Sequence, residues 1–328
     1  MRQIALKHAE FDLPVMGLGC MGMSEFYGPT DDDISLSVIA RSVELGANLL
    51  DTADMYGRGG NEELLSRYLR NHRNQVVLAT KCGLVRGETP AQQSRNTSPT
   101  YIRAACEASL GRLKVDTIDL YYLHRLDGVT PIEDSMGELA RLHEAGKIRA
   151  VGLSEVSAKS LMEAHKVFPV SAVQSEYSLA TRGGEVEAVI NKCAEIGAAF
   201  VAYSPLSRGL LTGAFRSKDD FVGLDFRFVL PRFAESSLKA NLALVDALAK
   251  IASDKGVSAA QVAIAWVLHR APHVTTIPGT KSIQRLEENI GAASLHLDQT
   301  ELELISLALP ADAFQGERYP AFLASKPG

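Results

Sequence analysis

Ala47-Asn48-Leu49-Leu50-Asp51-Thr52-Ala53-Asp54-Met55-Tyr56-Gly57 opens as an apolar, strand-like run and closes on an acid and, five residues later, a phenol. Two more apolar runs end in reactive side chains: Val76-Val77-Leu78-Ala79-Thr80 in Lys81, and Ile118-Asp119-Leu120-Tyr121-Tyr122-Leu123 in His124. Asp51, Tyr56, Lys81 and His124 thus arrive at the ends of three predicted strands. Chemistry delivered at the C-terminal ends of successive strands is the arrangement of a parallel α/β barrel.

Outward from that stretch, short apolar runs alternate with amphipathic helical segments from residue 15 onward, the pattern of βα units around a parallel sheet. The predicted strands are Val15 to Met21, Ala47 to Thr52, Gln75 to Lys81, Thr117 to His124, Ala150 to Ser154, Ala172 to Ser175, Ala199 to Ser204 and Val274 to Pro278, with helices in the intervals. Thr30-Asp31-Asp32-Asp33 precedes Ile34 to Leu45, and Ser98-Pro99-Thr100 precedes Tyr101 to Leu113. Both carry capping residues or Pro in the first turn. Gly46 and Gly146 end helices. Eight such units without an inserted second core predict a (β/α)8 TIM barrel, residues 1–328 as a single domain with a short N-terminal cap segment. Residues 207 to 234 make a loop too long for a connector and are expected to form a functional lid. An extra helix, Gln299 to Leu307, leads into a tail from roughly Leu309 to Gly328 that carries Phe314, Tyr319, Pro320 and Phe322.

A phenol is a weak acid, with an unperturbed pKa near ~10, and a neighbouring ammonium shifts it down by favouring the phenolate. Lys81 is the candidate ammonium, Asp51 the carboxylate that keeps it charged and oriented, and His124 a hydrogen-bond donor to a carbonyl undergoing reduction.

The 328 residues are 46% hydrophobic and 22% charged, ordinary for a chain that buries a substantial core. A net charge of −5, with no cluster of Lys and Arg interleaved with aromatics, argues against nucleic acid as a partner. The first residues lack a signal peptide pattern, and no apolar run approaches the ~20 residues that span a bilayer, so a soluble, cytoplasmic protein is expected, with no membrane partner. Cys20, Cys82, Cys106 and Cys193 are scattered and read as free thiols. His269 and His273 have helix-face metal spacing, but Pro272 breaks the turn between them, and no metal site is expected.

Gly17-Leu18-Gly19-Cys20-Met21-Gly22 matches the dinucleotide-binding Gly-x-Gly-x-x-Gly. That fingerprint has to open a helix whose N-terminus holds a pyrophosphate, whereas Ser24-Glu25-Phe26-Tyr27-Gly28-Pro29 reads as a turn-rich loop. None of the nine tyrosines is followed by Lys four residues later, which argues against the reductases that carry catalytic Tyr and Lys one helical turn apart.

Asp51-Thr52-Ala53-Asp54-Met55-Tyr56-Gly57 followed by Gly60-Asn61-Glu62 closely resembles the signature of the aldo-keto reductases. The resemblance covers nearly the whole chain, through Gly17-Leu18-Gly19, Thr80-Lys81, Leu123-His124-Arg125, Gly152-Leu153-Ser154, Val173-Gln174, Ala202-Tyr203-Ser204-Pro205-Leu206 and Ile277-Pro278-Gly279-Thr280-Lys281-Ser282. It implies NADPH-dependent reduction of an aldehyde or ketone, with Tyr56 as acid, Lys81 and Asp51 tuning it and His124 orienting the carbonyl. Gly19, Met21 and Asp51 are implied to lie beside the coenzyme, and Ser154, Glu155 and Gln174 to hold the nicotinamide carboxamide. Glu155 departs from the Asn of many members, since a carboxylate accepts from the amide but cannot donate to its oxygen.

Tyr203 is implied as the ring on which the nicotinamide stacks. The stretch Ser204, Pro205, Leu206, Arg208, Gly209 and Leu211 resembles the loop that wraps the pyrophosphate. Gly279, Thr280, Lys281, Ser282 and Arg285 match the positions that take the adenosine 2′-phosphate, near a predicted helix N-terminus. Glu288 and Asn289 match those that bind the adenine amine. Phe26, Tyr27, Met55, Leu84, Arg125 and Phe228 are candidates for the substrate wall and imply an apolar carbonyl compound, a small molecule. Such a tail as 309–328 often folds over the barrel mouth in this family. The same fold also serves as the β-subunit of voltage-gated potassium channels, and the complete set of Asp51, Tyr56, Lys81 and His124 favours the enzyme.

Overall fold

The structure is a computed structural model and describes residues 1–88 and 92–320. Strands and helices are numbered in chain order. A small antiparallel hairpin, β1 (Gln3–Ile4) and β2 (Leu13–Pro14), comes first. Eight parallel strands follow: β3 (Leu18–Gly19), β4 (Leu49–Asp51), β5 (Val77–Cys82), β8 (Ile118–Leu123), β9 (Ile148–Ser154), β10 (Val170–Glu176), β11 (Ala199–Tyr203) and β12 (Val274–Thr276). A second hairpin, β6 (Leu84–Val85) with β7 (Ser94–Arg95), rises from the end of β5.

Each barrel strand pairs in parallel with the next, and a parallel bridge from Met16 to Thr276 joins the first to the last and closes the ring. Gly17 N–H donates to Thr276 O at 2.8 Å across that seam. Close packing accounts for two glycines of the Gly-x-Gly-x-x-Gly match: a Cβ on Gly19 would stand 2.8 Å from Ile277 O across the seam, and one on Gly17 2.6 Å from Leu49 O of β4. A short 3₁₀ turn, Met21–Met23, follows, so the motif does not open an α-helix. The first strand is shorter than Val15 to Met21 because the chain turns at Cys20.

The helices are α1 (Asp32–Glu44), α2 (Gly60–His72), α3 (Pro99–Leu113), α4 (Ile132–Glu144), α5 (Ala158–Val167), α6 (Gly184–Ile196), α7 (Glu235–Asp254), α8 (Ala259–Leu268), α9 (Ile283–Gly291) and α10 (Gln299–Ala308). Asp31 caps α1 by accepting from Ile34 N–H, as the acidic run predicts. Two helices, α7 and α8, occupy the interval between β11 and β12. Among the described residues, no helix is long and apolar enough to cross a membrane.

Strand alternation sorts the side chains into two cores. Leu50, Leu78, Tyr121, Leu123, Val173 and Phe200 face outward into the layer packed under the helices. Leu49, Ala79, Leu120, Tyr122, Ala172 and Val201 face inward, and Ile4, Leu6 and Leu13 of the N-terminal segment pack onto them, plugging the barrel floor. Small residues are required opposite the inward Tyr122: a Cβ on its neighbour Gly152 would stand 2.3 Å from the ring. The stretch after β11 winds through four short 3₁₀ turns, Ser207–Thr212, Lys218–Asp220, Phe226–Val229 and Pro231–Phe233. Leu210, Phe221, Leu230 and Phe233 give it a core of its own against α7.

Candidate active site

The period of two that fills the barrel also sets its upper rim. Asp51 shares parity with Leu49, Lys81 with Ala79, His124 with Leu120 and Tyr122, Gln174 with Ala172, and Tyr203 with Val201, so all project inward at the C-terminal ends of their strands. Tyr56 follows β4 on a 3₁₀ turn, Tyr56–Gly59. Lys81 Nζ lies 2.5 Å from Asp51 Oδ1, 2.8 Å from Thr52 O and 3.5 Å from Tyr56 Oη, which uses all three ammonium donors. Gln174 Nε2 donates to Asp51 Oδ2 at 2.7 Å and holds the carboxylate from the other side. The Tyr56 and His124 rings meet edge to face at 5.8 Å. The four residues named from the strand ends are therefore in one cluster, with Lys81 sealed behind Tyr56.

Burial raises the Tyr56 phenol well above its usual pKa, and Asp51 adds to the rise while Arg125 opposes it. Burial of the phenolate outweighs the lowering expected from Lys81, whose ammonium is matched to Asp51. Tyr56 is thus a protonated donor at neutral pH. Burial pushes Lys81 down and Asp51 pushes it back; at 2.5 Å the ion pair keeps the ammonium. Burial first, then the charges of Lys81 and Arg125, hold His124 well below its ordinary range, so its imidazole is neutral. Its Nδ1 is buried with no partner among the described residues, and the residue borders the cleft.

A cleft of about 1450 Å³ runs from this cluster across the barrel mouth. Gly19, Met21, Ser154, Glu155, Gln174, Tyr203, Ser204, Pro205, Leu206, Arg208 and Gly209 border it, as do Gly279, Thr280, Lys281, Ser282, Arg285, Glu288 and Asn289 at the start of α9. Among the described residues, five of the seven non-glycine residues with positive φ line it: Phe26, Arg58, Glu155, Ser204 and Arg208. Backbone strain of that kind gathers where a surface is shaped for a ligand. Ser282 caps α9 through Arg285 N–H, and Lys281 Nζ donates to Tyr27 O and Pro29 O, both at 2.7 Å. Lys281 therefore staples the loop after β3 to the α9 N-terminus and keeps one donor for a ligand.

Two positions named from the sequence lie elsewhere. Leu211 is fully buried against Leu248 and Val262, because the turn Ser207–Thr212 directs it into the helical layer. Phe228 is 41% exposed with its ring against Phe221, and Phe226, two residues earlier, takes the cleft position and packs on Phe26 at 5.5 Å. Phe26, Tyr27, Met55, Leu84 and Arg125 do border the cleft.

The tail contributes more than aromatic side chains. Tyr319 Oη accepts from Arg208 at 2.7 Å and lies 3.3 Å from Tyr203 Oη, and Arg318 Nη2 donates to Glu155 Oε2 at 2.8 Å. Phe314 packs beneath, between α7 and the loop core, and Phe322 lies outside the described residues. Glu155 also accepts from Tyr203 Oη at 3.0 Å and Glu176 N–H at 2.8 Å. Burial raises its pKa, but Arg125, Arg318 and that backbone N–H outweigh burial and bring the carboxyl down to about 2. Arg318 is the residue the sequence hid: one arginine in a short irregular segment has no period to mark it.

The profile of the aldo/keto reductase family matches residues 15–309. The chain is 41% identical to Aldo-keto reductase yakc [NADP(+)] of Schizosaccharomyces pombe over 319 residues, 96% of this chain and 94% of that one. Among solved structures, the glycerol dehydrogenase AKR11B4 from Gluconobacter oxydans superposes with a TM-score of 0.84 at 32% identity, covering 94% of each chain. An aldo/keto reductase from Klebsiella pneumoniae in complex with NADP and acetate superposes with a TM-score of 0.74 at 25% identity, covering 97% of this chain and 98% of that one. With the closed barrel and the rim cluster, these likenesses make this chain a member of the aldo/keto reductase family.

Proposed function

We propose that the protein reduces aldehydes or ketones to alcohols with NADPH, and that residues 1–328 form one catalytic domain. The observation that carries the reading is the sealed contact of Lys81 with Asp51 and Tyr56, beside the neutral ring of His124. Held by the residues along the cleft, NADPH would supply the hydride for the carbonyl carbon and become NADP⁺. Tyr56 gives its proton to the carbonyl oxygen, and the Lys81 ammonium, 3.5 Å away, stabilises the phenolate as it forms. Asp51 keeps Lys81 charged and aimed. His124 donates from Nε2 to the carbonyl oxygen and so sets the approach.

The residues around the cleft fit the coenzyme. The α9 N-terminus presents unpaired backbone N–H groups, and Arg285 has no carboxylate partner among the described residues, both suited to a phosphate. Ser154 and Gln174 offer the amide-binding groups, whereas Glu155 is taken by Arg318 and Tyr203. The name of the fission-yeast relative and the NADP bound to the Klebsiella structure support NADPH over NADH. Purified protein should consume NADPH in the presence of 4-nitrobenzaldehyde and form the alcohol. Absence of both under conditions where the protein is folded overturns the reading.

A further inference from the structure

The charges around Tyr56 do not cancel. Lys81 is matched to Asp51, and Arg318 to Glu155. Arg125, which follows His124 at the end of β8, has no carboxylate within 4 Å among the described residues. Its Nη1 donates to two neutral acceptors, His124 O at 2.6 Å and Ser154 Oγ at 3.0 Å, and its Nε and Nη2 donate to nothing described. Burial disfavours the charge, yet Tyr203 and Glu155 raise the pKa, so the guanidinium persists. Arg95, on the hairpin above with Nη1 on Leu126 O, is lowered by burial and then by Arg125 itself, a like charge. A positive group bordering the cleft, with Nη1 fixed and its other donors unpaired among the described residues, is a site for a planar anion.

We propose that Arg125 binds a carboxylate on the substrate, so that the carbonyl compounds this protein reduces best are oxo acids rather than the apolar compounds expected from the sequence. The proposal rests on the reductase reading above. A carboxylate fits the free edge of the fork and balances one guanidinium, whereas a phosphate dianion would leave charge unmatched. Arg125 binds and orients the substrate, and hydride and proton transfer are unchanged.

The test uses phenylglyoxylate and 4-formylbenzoate, each beside its methyl ester, with NADPH and the full chain. Arg125→Met should lower kcat/KM for at least one acid ~10–100-fold more than for its ester, the worth of a charge-assisted hydrogen bond. Arg125→Lys, which keeps the charge and loses the fork, should fall between, and it serves if Arg125→Met does not fold. Equal losses on acid and ester in both pairs overturn the proposal, as does a stronger Arg125 dependence for glyceraldehyde 3-phosphate relative to glyceraldehyde. Reduction of the esters by the wild type, abolished in Tyr56→Phe, supports the reductase reading on its own. If nothing is turned over, that reading fails, and phenylglyoxylate titrated into the NADP⁺-loaded protein reads the site directly. Tighter binding to wild type than to Arg125→Met supports it; equal binding overturns it.

Discussion

Lys81 Nζ lies 2.5 Å from Asp51 Oδ1 in an ion pair closed to water, with side-chain exposures of 0% and 5%. Removing one member strands the other. Lys81→Met leaves Asp51 with Gln174 as its one side-chain hydrogen-bond donor among the described residues, and breaking a buried pair in this way is worth about 3–5 kcal/mol. It also removes the charge that stabilises the Tyr56 phenolate. Asp51→Asn keeps the shape and should be milder in both stability and turnover. Thermal melts and steady-state kinetics on the two variants decide; Asp51→Asn the more damaging of the two would reverse the assigned roles.

Lys281 is tied to two backbone carbonyls of the loop after β3, and Arg285 lies one turn into α9. NADPH should bind more tightly than NADH, and Lys281→Ala combined with Arg285→Ala should erase most of the difference while sparing NADH. Coenzyme titrations that give equal affinities in the wild type remove this phosphate site.

The Arg318–Glu155 pair sets an acid-side dependence. Glu155 is drawn to about 2, below the ordinary carboxylate range near ~4.3, so its contribution to stability is complete above that range and is lost as pH falls towards about 2. Arg318→Ala lets the folded-state pKa rise. The variant should lose on the order of 1 kcal/mol at neutral pH and show a flatter Tm between about pH 4.5 and pH 2. A parallel acid limb in wild type and variant would contradict the pairing.

Asp54 has the opposite sign. Its Oδ1 is buried without a partner among the described residues, and burial, then Glu62, raises the carboxyl to about 7. The folded protein therefore holds a proton that the unfolded chain has released between about pH 4 and pH 7, and stability falls as pH rises through that window. Asp54→Asn should remove the fall and stabilise the protein at pH 8 by roughly 1–3 kcal/mol, because no carboxyl then has to ionise in a buried site. Melts from pH 5 to pH 8 that run parallel for the two proteins would refute it.

Much of this site was legible because strand parity and strand ends are written in the sequence. Leu49 fixes Asp51 inward, Ala79 fixes Lys81, and Tyr122 fixes His124, each two residues on. Gly19 answers to the closing seam of the barrel and Gly17 to Leu49 of the neighbouring strand, close approaches that no local window reveals. Phe228 and Leu211 were misplaced because 3₁₀ turns rotate successive side chains differently from strands, so spacing alone does not say which face they take. Arg318 reaches Glu155 from 163 residues away, a contact set by how the tail crosses the mouth.

Tyr56 as the proton donor is the central claim, and NADPH oxidation with 4-nitrobenzaldehyde by Tyr56→Phe, beside NADPH titration of the same variant, tests it most directly. We expect turnover to fall ~10²–10⁴-fold, the span of general acid catalysis, with coenzyme affinity nearly unchanged. Turnover close to wild type would contradict it.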